Sequence, residues 1–168
     1  MKRVSLKPDL DIVKLLLDYN PNTGVFKWKN RAGRHGRIPA GSVAGTINGQ
    51  GYRYININGT LYCAHRLAWL ISYSEWPDSM VDHINMDKDD NRLINLRLVT
   101  DQQSTAHRTI HKRNVCGFKG VSKRGKKWRT RITLNRKTID VGYFDSKEEA
   151  HAAYVAKSNE LFGEYAHP

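Results

Sequence analysis

Apolar residues recur at helical spacing at Leu10, Val13, Leu16 and Leu17, which predicts a helix from about Asp9 to Asp18. The turn cluster NPNTG at 20–24 stops it. Strand-like alternation follows: in VFKWK, Val25 and Lys27 face one way and Phe26 and Trp28 the other. RYINI (53–57) and TLYCA (60–64) flank Asn58-Gly59, the strongest short hairpin signal. HRLAWLISYS (65–74) reads as a second helix, ended by Trp76-Pro77, and a short helix is predicted from about Asp101 to Lys112. Residues 117–144 read as three short strands joined by Gly- and Asn-containing turns. In the central strand Trp128, Thr130 and Ile132 share one face, and Arg129, Arg131 and Thr133 the other. SKEE at 146–149 is a capping box. It opens a helix with Ala150, Ala153, Tyr154 and Leu161 on one face, closed by Gly163. Short strands beside a few helices make the fold class α+β.

Charge sharpens this picture. The 168 residues carry 28 Lys+Arg against 16 Asp+Glu, a formal net charge of +12, which favours a polyanionic partner. The excess is local: eleven Lys or Arg and no acid lie between Thr109 and Lys137. A domain boundary is therefore set in the basic segment 109–116, between a first domain (1–108) and a second (117–168). With no acids interleaved, the basic run reads as a polyanion-binding face rather than a solvated strand. No stretch approaches the roughly 20 apolar residues of a membrane span. The N-terminus lacks an apolar signal core, so the expected location is the cytoplasm. Cys63 and Cys116 are far apart and in no CxxC pair, so they read as reduced thiols. Asn58-Gly59-Thr60 fits a glycosylation sequon, but a hairpin turn is the better reading.

The chemistry concentrates in VDHINMDKDDNRLINLRLVT (81–100). Three readings apply. Asp- and Asn-filled loops are commonly only turns. A calcium loop needs Gly where Asp90 stands and a bidentate Glu where Leu96 stands, and is rejected. The third is a metal-dependent phosphodiesterase. Asp82 offers a hard-metal ligand, His83 an imidazole base with a reference pKa of about 6.5, and Asn95 an amide that spans the loop.

The stretch resembles the catalytic motif of the HNH, or ββα-metal, endonucleases, and more narrowly their phage and intron-encoded homing-type branch. HRLAW from His65, DHIN from Asp82, and NLRLVT carry the resemblance, which covers roughly residues 20–108. It implies that Asp82 is a metal ligand, His83 the general base, Asn95 the residue that orients the base, and Asn91 a loop-shaping residue. The family's third motif letter, a metal-binding His or Asn, falls nine residues after Asn95, on Ser104. His107, three residues on, is the alternative ligand. His65 and Arg66 either touch the DNA backbone or pack beneath the sheet.

Residues 117–166 resemble the APETALA2-type DNA-binding domain, through KGVSKR, KKWRTRI, VGYFDSKEEAHAAY and GEYA. That family lays a three-stranded sheet in the major groove, which is wide enough for β-structure. The match points to Arg124, Lys126, Trp128, Arg129, Arg131 and Arg136 as the DNA face. Alternation sets Trp128 opposite the arginines, so a core role stays open for it.

Together these resemblances imply an α+β chain. A small antiparallel sheet would precede a ββα-metal nuclease module, followed by a three-stranded sheet with one helix. The expected activity is site-targeted hydrolysis of double-stranded DNA to 5′-phosphate and 3′-hydroxyl ends, with Mg²⁺ as the divalent metal and no membrane partner. A monomer is favoured and would nick one strand. The alternatives are a catalytically degenerate sequence-specific DNA-binding protein, which Ser104 favours, and an RNA-binding basic protein, which leaves Asp82-His83 unexplained.

Overall fold

In the computed structural model, which describes residues 7–107, 114 and 116–166, contacts divide the chain into two units, Met1–Leu98 and Val99–Pro168. The fold class is α+β, with small sheets and few helices.

The first unit opens with α1 (Leu10–Leu16), capped by Asp9, whose carboxylate accepts from the backbone N–H groups of Asp11 and Ile12. The expected helix is shorter than its apolar spacing suggests. Leu17–Tyr19 leave it as strand β1 and pair antiparallel with β2 (Phe26–Trp28). Pairing buries Leu17 opposite Trp28, and that gain outweighs continuing a helix whose Leu15 is exposed. Next comes the meander β3 (Thr46–Ile47), β4 (Arg53–Ile57) and β5 (Thr60–Cys63). Asn58 and Gly59 both take positive φ, as the tight two-residue turn between β4 and β5 requires.

The meander leads into α2 (Ala64–Tyr73), which ends where Ser74 turns left-handed. Then β6 (Met80–His83) pairs with β7 (Leu96–Val99). One apolar cluster unites these pieces: Val13, Leu17, Phe26, Ile55, Ala64, Leu67, Ala68, Val81 and Leu96 are all buried in it. Each large apolar side chain so buried contributes about 1.5–3 kcal/mol. The cluster anchors the strands on either side of the 84–95 loop.

The second unit contains α3 (Asp101–His107), a three-stranded antiparallel sheet of β8 (Val121–Arg124), β9 (Lys127–Leu134) and β10 (Lys137–Phe144), and α4 (Lys147–Phe162). The part of the expected third helix beyond His107 lies outside the described residues, as does most of the 109–116 segment. Ser146 caps α4 by accepting from the Glu149 N–H, and Gly163 ends the helix. The helix buries Ala150, Tyr154 and Ser158, a strict i, i+4, i+8 stripe that takes Ser158 rather than Leu161. It packs on the sheet face of Val121, Thr130 and Ile132, with the Thr130 hydroxyl donating to the Ala150 carbonyl at 2.7 Å. The α3 helix is gripped near both ends: the Gln102 amide donates to Asn135 Oδ1 in the β9–β10 turn, and Lys119 Nζ donates to the Ala106 carbonyl. Among the described residues no helix is long and apolar enough to cross a membrane.

Candidate active site

The loop between β6 and β7 is tied together by its own side chains. Asn85 and Asp87 each accept a backbone N–H two residues on, from Asp87 and Asp89, and these Asx turns set the loop's path. Arg92 grips Asp90 through Nε and Nη2 at 2.8 and 2.6 Å, and holds its carboxyl down at about 2. Arg53, from β4, forks onto both oxygens of Asp89 at 2.7 and 2.8 Å. Asp89 and Asp90, two of the loop's carboxylates, are thus each paired with an arginine.

Asn95 closes the loop. Its Oδ1 accepts from the Asn85 N–H at 3.0 Å, and its Nδ2 donates to Asn85 Oδ1 and the Asp90 carbonyl at 2.9 and 2.8 Å. Its own carbonyl accepts from the Ile84 N–H, beside His83. Asn95, expected to orient the base, therefore fixes the loop around it, and its side-chain amide is fully engaged there. The side chain that meets His83 is Asn91, expected only to shape the loop. His83 Nε2 lies 3.3 Å from Asn91 Oδ1, both residues buried.

That contact assigns the tautomer. Asn91 Nδ2 donates to the Asp89 carbonyl at 2.9 Å, so Oδ1 is the atom turned to the imidazole, and an amide oxygen only accepts. His83 therefore carries its proton on Nε2 and its basic lone pair on Nδ1. Burial pulls the His83 pKa below its ordinary value, against the hydrogen bond that the ring donates to Asn91 and the charges of Asp82, Asp87 and Asp90. The ring is neutral at pH 7, the protonation state a base requires.

Two rings wall the imidazole. His65 stands edge-on to it with centroids 5.0 Å apart, and Tyr52 lies 6.0 Å from it and 5.6 Å from His65. His65 is itself buried. Burial, the nearby His83 and Arg66 push its pKa down to about 3, and its Nδ1 has no hydrogen-bond partner among the described residues. Of the two readings of His65, packing beneath the sheet is the one the fold adopts. Arg66 instead donates to the Pro77 and Ser79 carbonyls and lies over the Trp76 ring, stapling the turn after α2.

Asp82, the neighbour of His83 on β6, is half-buried and pairs with Arg97 of β7 at 3.4 Å. Ser104 and His107 lie on α3 in the second unit, the first half-buried and the second buried. Among the described residues no group of three His, Cys, Asp or Glu forms a metal cage. Asp82 is nevertheless a hard oxygen donor, and Mg²⁺ is commonly held by one or two carboxylates, with water and substrate phosphate completing its shell. The donor chemistry fits such a cation and does not fit a soft metal.

On the basic sheet, Arg129 and Arg131 share the face opposite α4, Arg124 and Lys126 are exposed around the β8–β9 turn, and Arg136 is exposed in the β9–β10 turn. Trp128 lies on the Thr130 and Ile132 side, away from the arginine face. The expectation that this run meets no acid also fails. Asp140, on β10, takes both Nε and Nη2 of Arg129, and Asp145 pairs with Lys127 at 3.2 Å. Those acids lie beyond Lys137 in sequence and arrive by cross-strand pairing.

Residues 62–110 match the family model described as HNH endonuclease. A curated relative, the uncharacterized HNH endonuclease L560 of Acanthamoeba polyphaga mimivirus, is 33% identical over 91 residues, which are 54% of this chain and 47% of that one. The chain thus spans about half the length of that relative. A solved structure, described as DNA binding and cleavage by the HNH homing endonuclease I-HmuI, is 18% identical with a TM-score of 0.41, covering 92% of this chain and 90% of that one. The matched segment includes Asp82, His83, Asn91 and Asn95 and ends before the basic sheet.

Proposed function

We propose that this chain is a site-targeted, homing-type DNA endonuclease with two functional modules. Residues 1–108 cut, and residues 117–168, an APETALA2-type module beyond the 109–116 linker, hold double-stranded DNA. The observation that carries the reading is the contact of buried His83 Nε2 with Asn91 Oδ1 at 3.3 Å, which leaves Nδ1 as the basic nitrogen, next in sequence to Asp82 within the matched segment. His83 Nδ1 takes a proton from a water that attacks the scissile phosphorus in line. Asn91 keeps the ring in the tautomer that can do so. Asp82 would hold a divalent cation, Mg²⁺ in this reading, with Ser104 or His107 as a further ligand. When bound, the cation supplies positive charge to the phosphate and to the leaving 3′ oxygen. The products are 5′-phosphate and 3′-hydroxyl ends, and a monomer in the cytoplasm nicks one strand.

Supercoiled-plasmid conversion with and without Mg²⁺ tests this. Nicked circles with Mg²⁺ and none in chelator support the reading. Tight DNA binding with no cutting under any divalent metal would leave the second reading, a degenerate DNA-binding protein, which the hydroxyl of Ser104 in place of an imidazole or amide favours. RNA competing as well as DNA would point to the third class.

Two further outcomes are expected. Ser104→Asn adds an amide oxygen to α3 and raises nicking at low Mg²⁺; no gain, together with an inactive but DNA-binding His107→Ala, assigns His107 instead. Arg131→Ala lowers DNA affinity and reduces the log–log salt slope by about 0.9, the counterion release of one phosphate contact. Arg129→Ala has a smaller effect, because Asp140 already neutralises that guanidinium. Unchanged slopes for both would mean this sheet face does not meet DNA.

A further inference from the structure

Three contacts from the β1–β2 hairpin converge on the short segment that presents Asn91 to the base. The Tyr19 hydroxyl donates to the Asn91 carbonyl at 2.7 Å. The Leu93 N–H donates to the Pro21 carbonyl at 3.0 Å. Gly24 lies so close that a Cβ on it would stand 2.5 Å from Arg92 N, 2.6 Å from the Asn91 carbonyl carbon and 2.9 Å from Asn91 N. These are backbone atoms, which do not swing aside. Gly24 also holds φ at +72°, where a side chain is strained in any case.

The hairpin itself is braced. Asn20 Oδ1 accepts from the Asn22 and Thr23 N–H groups, the Gly24 N–H donates to the Asn20 carbonyl at 2.8 Å, and the Tyr19 ring stacks on fully buried Phe26 at 4.6 Å. Burial raises the Tyr19 phenol to about 12, so it remains a donor across the working pH range. None of these residues falls in the 62–110 segment that matches the endonuclease family.

Resting on the endonuclease reading above, we propose that Tyr19 and Gly24 are positioning residues for His83, acting through Asn91. The leverage comes from distance. The Nε2 to Oδ1 separation is 3.3 Å, near the end of the hydrogen-bonding range. A shift of Asn91 by a few tenths of an ångström in the wrong direction ends that bond and releases the imidazole to its other tautomer, whose Nδ1 carries a proton and is no base. The hairpin is thus a wall of the active site, supplied from outside the family segment.

The test uses the full chain with Tyr19→Phe and Gly24→Ala. Tyr19→Phe removes one hydroxyl and keeps the ring on Phe26, so it remains informative should Gly24→Ala not fold. Plasmid nicking at saturating and subsaturating DNA separates kcat from KM, and ¹⁵N spectra of the His83 side chain report its tautomer without any cutting. The expected result is a kcat lowered by about ten- to a hundredfold, the scale of a misplacement of about 1 Å, with KM unchanged. The Nε2–H signature of wild-type His83 should give way to a mixture. Folded Tyr19→Phe with wild-type kcat and an unshifted tautomer would overturn the proposal, as would a change in KM alone. If the wild-type protein cuts nothing, the endonuclease reading fails, and the His83 spectra alone then decide the positioning claim: a wild-type tautomer in the folded variants overturns it.

Discussion

His83→Ala should bind DNA as the wild type does and nick it about 10²–10⁴-fold more slowly, the usual cost of deleting a general base. The size of the loss follows from the protonation state. The imidazole is neutral because it is buried, its proton is fixed on Nε2 facing Asn91, and the remaining nitrogen is the only basic atom of the ring. Affinity is spared because the residue is buried between His65, Tyr52 and Asn91, whereas the cationic side chains proposed to meet DNA lie on the C-terminal sheet. Rate constants on saturating plasmid, paired with a binding isotherm in chelator, measure the two effects separately. Near-wild-type nicking by folded His83→Ala removes His83 from the chemistry.

The second large effect is on stability and comes from His65. In the folded chain its pKa is about 3, pushed there first by burial and then by His83 and Arg66. In the unfolded chain it returns to about 6.5. The unfolded state therefore binds one more proton between these two values, and stability must fall as the pH is lowered through that window. The loss is about 1.4 kcal/mol per pH unit for one such group, and it is absent above pH 6.5. Urea unfolding from pH 7 to pH 4 should show the decline. His65→Phe keeps a ring against His83 and Tyr52 but has nothing to protonate, so its decline should be markedly shallower. Parallel curves for the two proteins would show that His65 is not held neutral by burial.

Elements set by local chemistry were legible in the sequence. The Asn58-Gly59 turn, the end of α2 before Trp76-Pro77, the alternation of β9 and the Ser146 cap each depend on a few adjacent residues. What escaped depends on partners far along the chain. Leu17 continues a helical spacing, but its strand geometry comes from pairing with Trp28. Nothing local to Asp89 announces its ion pair with Arg53, which stands 36 residues earlier. Arg129 looked unopposed until the register brought Asp140 across. The exchange between Asn91 and Asn95 has the same origin. Both amides lie in one loop, and which of them meets the imidazole is decided by the loop's path, which the Asx turns and the N-terminal hairpin determine together.

The arginine pairs around the loop bear on how a polyanion can come near it. Asp82, Asp89 and Asp90 would repel a phosphate backbone if they stood alone, yet each already faces its own guanidinium, Arg97, Arg53 and Arg92. The chain carries these counterions covalently, at fixed positions, so they do not diffuse away as salt is diluted. Approach of a duplex to this loop therefore need not recruit further cations from solution to quiet Asp89 and Asp90. The same three arginines, being engaged, add little to counterion release on binding, which leaves the salt dependence of this protein to be set by its other cationic side chains.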